Sequence, residues 1–160
     1  MVQHPRTEVP ERLAFAVGGI PGVTDIANSR IYPDAAAKLP VARIYIEHDD
    51  PQVQGHLRPG IRRVERTMVA MITLAFAAPA DGNRAFEGGM NDAIAHIERC
   101  LAANPHLKLA DGKPYARSLK QGPIRSGFDR NNPRLIVAAI PVVVVVDYRE
   151  GADDHPFTQP

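Results

Sequence analysis

The chain has 160 residues, 44% of them hydrophobic, which is about one domain's worth and enough to bury a single core. Its 19 Lys+Arg stand against 18 Asp+Glu, so a net charge of +1 leaves no bulk field of the kind that draws a protein non-specifically onto nucleic acid or an anionic membrane. Cys100 is the single cysteine, which excludes an internal disulfide and a cysteine-rich metal site.

Residues 1–12 carry prolines and acids where a secretory signal needs an apolar run of about 7–15 residues, so folding in a reducing cytoplasm is expected. Thr7 is placed to cap a first helix with Pro10 in its opening turn, and Val9, Leu13, Ala16 and Val17 fall on one face. Gly18-Gly19 and Pro21-Gly22 end that helix. A short strand near 27–32 follows, and Pro33 and Pro40 bracket the connection to a second strand over 41–48. There Ala42, Ile44 and Ile46 alternate with Arg43, Tyr45 and Glu47, the period of a sheet with one buried face.

Residues 49–60, rich in proline and glycine and almost free of apolar side chains, read as a mobile contact loop. A long strand over 62–77 comes next, with Val64, Met68, Ala70, Ile72, Leu74 and Phe76 on one face and Arg66 as the exception among them. Turn chemistry at 79–83, with Asp81 or Asn83 as cap, opens the main helix over 84–103. Phe86, Met90, Ile94, Ile97 and Leu101 form its stripe, and Asn104-Pro105 stops it.

Residues 106–133 show neither period strongly, and one or two weak strands are expected over 115–124. The β-branched run over 135–148 reads as a last strand covered on both faces, with Pro141 forcing a bulge or an edge position. Its apolar part is far short of the roughly 20 residues that cross a bilayer. Residues 151–160 read as a disordered tail, leaving 1–150 as one domain. The expected fold is α/β of the α+β kind: a mixed, mostly antiparallel sheet of about four to five strands with one long and one short helix on one face.

Four groups of residues carry types that do chemistry. His48, Asp49, Asp50 and His56 include metal ligands, but side chains 48 and 49 point to opposite sides of an extended chain, so a solvated strand end is the expected reading and no metal or cofactor is assigned. His96 stands one turn before Cys100, yet no third residue orients the imidazole and the helix interior offers no oxyanion hole, so no catalytic residue is assigned. Gly88-Gly89 lie inside the helix, where close packing suits them better than a phosphate. The basic positions Lys108, Lys113, Arg117, Lys120, Arg125, Arg130 and Arg134, with Tyr115 and Phe128 nearby, suit a solvated segment or an acidic neighbouring subunit better than a nucleic-acid groove.

The order helix, short strand, Arg30-Ile-Tyr-Pro33, Lys38-Leu-Pro40, acidic segment, Arg62-Arg63 leading to Thr67, helix, variable segment and final Val-Asp-Tyr-Arg strand is similar to phage tail terminator (tail-completion) proteins over about residues 8–150. The resemblance implies a structural virion protein and not an enzyme. It implies a homo-oligomeric ring, commonly a hexamer, that caps the completed tail tube, ends its polymerisation and meets the head-side connector protein. The partners expected are further copies of the chain, the tail tube protein and that connector, with no membrane and no sequence-specific nucleic acid; the location is the phage tail. The tube-facing surface is expected at Asp49, Asp50, Gln52, Gln54, His56, Arg58, Arg62 and Arg63, because a mixed-charge segment gains order on docking. Two alternatives remain: another neck or head-closure subunit of the same particle, separated by where a ring sits in it, and a small ligand-binding or hydrolytic domain using the 48–50 strand end, separated by a bound metal or a deep polar pocket.

Overall fold

The computed structural model describes residues 4–24, 26–27, 39–78, 85–108 and 111–151. The Arg30–Pro33 motif, most of the connection before Pro40, the 79–83 turn and the tail after Gly151 lie outside the described residues, as do the side chains of Phe86 and Glu87.

Helix α1 spans Pro5–Ala16, starting earlier than expected. His4 takes the capping role given to Thr7: its Nδ1 accepts from the Arg6 N–H at 3.2 Å, and its carbonyl accepts from the Thr7 and Glu8 N–H groups. Pro5 begins the helix, where a missing donor costs nothing, which leaves Pro10 inside it. Val9, Leu13 and Val17 are fully buried, as their spacing requires.

The strands are β1 (Ile26–Ala27), β2 (Val41–Arg58), β3 (Ile61–Ala77), β4 (Ser118–Gln121), β5 (Arg125–Phe128) and β6 (Leu135–Glu150), with helix α2 (Ala85–Ala103) between β3 and β4. They form one mostly antiparallel α+β sheet in the order β1-β2-β3-β6-β4, with β5 also paired to β6. Among the described strands, only the two-residue β1 runs parallel to its neighbour. β3 is the centre, paired along its length with β2 on one side and with β6 on the other.

The largest departure from the sequence reading is at 49–60, which is no loop. β2 continues through it to Arg58, and the chain reverses at Pro59-Gly60 into β3. Gly60, with φ of 82°, holds the third position of a turn whose second is proline, the arrangement of a type II turn. A composition too polar to fold alone is ordered here by backbone pairing to β3, which needs no apolar side chains. Register shifts near Glu47, Gln54 and Leu57 absorb the irregular sequence.

The core lies on one face. Ala42 and Ile44 of β2, Met68 through Phe76 at alternate positions of β3, and Ala138 through Val146 at alternate positions of β6 form a single cluster. Val9 and Leu13 of α1 and Met90, Ala93, Ile97 and Leu101 of α2 join that same cluster, so both helices pack on the same side of the sheet. Ile94 is only partly buried at its margin.

Among the described residues, β6 is not covered on both faces. Its alternate residues are buried on the helix side and half-buried on the other. Pro141 makes no bulge, since the β3 pairing runs through it unbroken. Its carbonyl accepts from Gly122 N–H at 2.8 Å, so its donorless nitrogen faces the flank where β4 has ended and β5 has not begun. The edge position expected for this proline is met locally, by a gap in the flanking strands.

Where β6 ends, Gly151 adopts a φ of 138°, and a Cβ there would stand 2.4 Å from the Gly60 carbonyl oxygen. Gly151→Ala is therefore expected to lose about 1–3 kcal/mol through backbone strain and the forced shift of the hairpin turn. Urea unfolding measures it, and an unchanged midpoint would mean that Gly151 and the Pro59-Gly60 turn are not in contact.

Candidate interaction surfaces

Three surfaces follow from this architecture. The first is the β2–β3 hairpin, where the expected contact residues Asp50, Gln52, Gln54, His56, Arg58 and Arg62 are all exposed and Arg63 is half-buried. They are brought together on paired strands. Arg62 pairs with Glu150 at 2.5 Å, and Arg63 with Asp147 at 3.3 Å. Gln52 donates to Asp50 at 2.9 Å.

Asp49 does not belong with them. Its side chain turns to the helix side and is only 6% exposed, with Oδ2 at 2.7 Å from Arg66 Nη1. The Arg66 guanidinium also lies 5.6 Å from the ring centroid of Tyr148, whose ring packs edge-on against His4. The charge that interrupts the apolar face of β3 is thus answered by a carboxylate from a segment whose sequence reads as a loop. His48 and His56 sit opposite Val69 and Arg62 respectively, so the metal-type residues are spread along β2. Among the described residues, no three of His, Cys, Asp and Glu come together as a metal site.

The second surface is the face of the sheet opposite the helices. Thr67, Val69, Met71 and Thr73 of β3 and Val137, Ala139, Pro141, Val143 and Val145 of β6 alternate with the core residues and are half-buried. None belongs to the core cluster, and among the described residues no helix packs over them. Sequence alternation identified the two faces of β3 but not that this one would stay open.

The third is the basic segment. Lys108, Lys113, Arg117, Lys120, Arg125, Arg130 and Arg134 are all exposed. Lys113 pairs with Asp111, and Arg117 with Glu65 at 2.5 Å. Tyr115 is unavailable for base stacking: it is buried, with the Arg12 guanidinium 4.4 Å over its ring. Burial, and then the nearby Glu8 carboxylate, push its phenol above the usual range. Phe128 is exposed.

Two further constellations bear on catalysis. His96 Nε2 lies 3.1 Å from the Gly18 carbonyl oxygen, 3.3 Å from that of Val17 and 3.4 Å from Cys100 Sγ. A nitrogen facing two carbonyls carries the proton and donates it, so it is not free to accept one from the thiol. The imidazole ties α2 to the end of α1. A cavity of about 410 Å³ is lined by Arg63, His106, Pro114, Tyr115, Ala116, Arg117 and Asp147. Its charged groups are engaged with one another or with Glu65, and His106 Nδ1 lies 3.2 Å from the Ala116 carbonyl.

Gly88 has open space around it, and Gly89 meets only the Phe76 ring edge at 3.9 Å. Both are exposed, so neither is needed for close packing within the described chain.

No family model and no curated protein matches this chain. Among solved structures, the sheath/tube terminator of an extracellular contractile injection system, PVC, in its extended state, is similar at 16% identity and a TM-score of 0.48. The similarity covers 100% of this chain, which spans 61% of the length of that one.

Proposed function

We propose that the chain is a structural assembly subunit, a tail-terminator-like protein that joins further copies of itself in a ring, caps a tail tube and meets a connector on the head side. The observation that carries this reading is the sheet that, among the described residues, has helices on one face only. Thr67, Val69, Met71, Val143 and Val145 leave a broad, largely apolar surface half-exposed, and such surfaces mark sites of association. The element order and the Lys38-Leu-Pro40 and Arg62-Arg63 motifs that resemble tail terminators support the same reading. On it, the exposed end of the β2–β3 hairpin faces the tube, with Asp50, Gln52, Gln54, His56, Arg58 and Arg62 as its contacts. A head-closure role would use similar surfaces and differ in the ring's place in the particle.

The test is the mass of the purified chain across concentration, followed by negative-stain imaging. Closed oligomers with a central opening are expected, together with binding to the ends of tail tubes. A single-chain mass at every concentration and no binding to tubes would overturn the reading.

A further inference from the structure

The two flanks of the sheet are matched in direction, in level and in charge. β2, β3, β6 and β4 alternate up, down, up and down, so β2 and β4 run in opposite directions on the two flanks of the β3–β6 pair, with β1 outside β2 at Ala42 and Arg43. The rows run straight across. Lys120 stands opposite Val143, which stands opposite Val69 and then His48; Ser118 leads through Val145 and Thr67 to Asp50. A neighbour generated by rotation about an axis along the strands brings its β2 beside this β4 at the same level, and the junction is antiparallel like the pairs within the sheet.

The charges agree. Glu47 and Asp50 are exposed on β2, and Lys120 is exposed on β4; among the described residues none of the three has an ionic partner. Beyond Arg43, no described strand pairs with the outer edge of β2. The window there is short, set by the register shift at Glu47 and by Pro51, which has no N–H to donate. β4 is short too, four residues.

We infer that copies of this chain join head to tail through these edges, β4 of one lying along the Glu47–Asp50 stretch of β2 in the next, with Lys120 set against the two acids. This rests on the ring reading above and specifies its interface. The contact is heterologous, so it closes into a ring when the rotation divides a full turn, and it keeps the helices of every copy on one side of the wall.

Two charge-reversed variants test it, Glu47→Lys/Asp50→Lys and Ser118→Glu/Lys120→Glu, at exposed positions where reversal spares the core. Each alone sets like charges against each other, and the concentration for half-assembly should rise at least about tenfold. An equimolar mixture should restore assembly, because each variant's reversed edge complements the other's. Should either variant fail to fold by circular dichroism, Asp50→Cys/Ser118→Cys in a Cys100→Ser background is oxidised instead, and a disulfide ladder beyond the dimer is expected. If the wild type assembles and the variants assemble like it, or only one variant is impaired, or the mixture fails to recover, or no ladder forms, the edge assignment falls while the ring reading stands. A wild type that is single-chain throughout ends both.

Discussion

Asp49→Ala is expected to cost about 3–5 kcal/mol of folding stability, the range for removing one member of a buried ion pair. The Asp49 and Arg66 side chains are 6% and 9% exposed, and they meet at 2.7 Å on the face that α1 covers. Truncating the carboxylate leaves a guanidinium two positions from Val64 and from Met68, which are 1% and 0% exposed, with the Tyr148 ring centroid 5.6 Å away. Arg6, 3.7 Å from the same carboxylate but 58% exposed, adds little. Asp49 Oδ1 and Arg66 Nε have no hydrogen-bond partner among the described residues, so the pair itself is imperfectly compensated. Asp49→Leu/Arg66→Met should therefore recover most of the loss, since replacing both charges removes the desolvation cost along with the attraction. Urea midpoints measure both. A loss under about 1 kcal/mol for the single variant would mean that the pair is solvated.

The second large effect is Leu74→Ala, expected to lose about 2–5 kcal/mol. Leu74 is fully buried on β3, and the residues opposite it on β2 and β6 are the short, buried Ala42 and Ala138, which cannot reach into the vacated volume. Ile94→Ala should cost clearly less, because that side chain sits at the margin of the core, partly in water. Denaturant unfolding of the two variants ranks them, and equal losses would place the centre of packing nearer α2 than the burial indicates.

Where an element has its own period, the sequence is a good guide. The alternation from Val64 to Phe76 places β3 on its correct face, and the stripe of Met90, Ile97 and Leu101 places α2. Both elements bury one side, and burial writes the period into the residues. The 49–60 segment writes nothing of the kind, because it is held by pairing to a partner strand and exposes most of its side chains. Its Asp49 side chain, 6% exposed, is polar, so the cue is the complementary anomaly of Arg66 on an apolar face. The helix cap was missed because histidine is an uncommon cap; Pro5 was the better signal. Of the expected contact residues, those on the hairpin do gather on one element, but the open face of the sheet was invisible, since alternation reports two faces and not which one another layer will cover.

The handover from β4 to β5 opposite Pro141 has a bearing on how this protein can vary. The joint at 122–124 interrupts neither flanking strand and leaves the β3–β6 spine intact. Insertions or deletions there would lengthen or shorten the outer flank without shifting a single rung of the central ladder. It is the natural seam at which descendants of this sequence can diverge while keeping their scaffold.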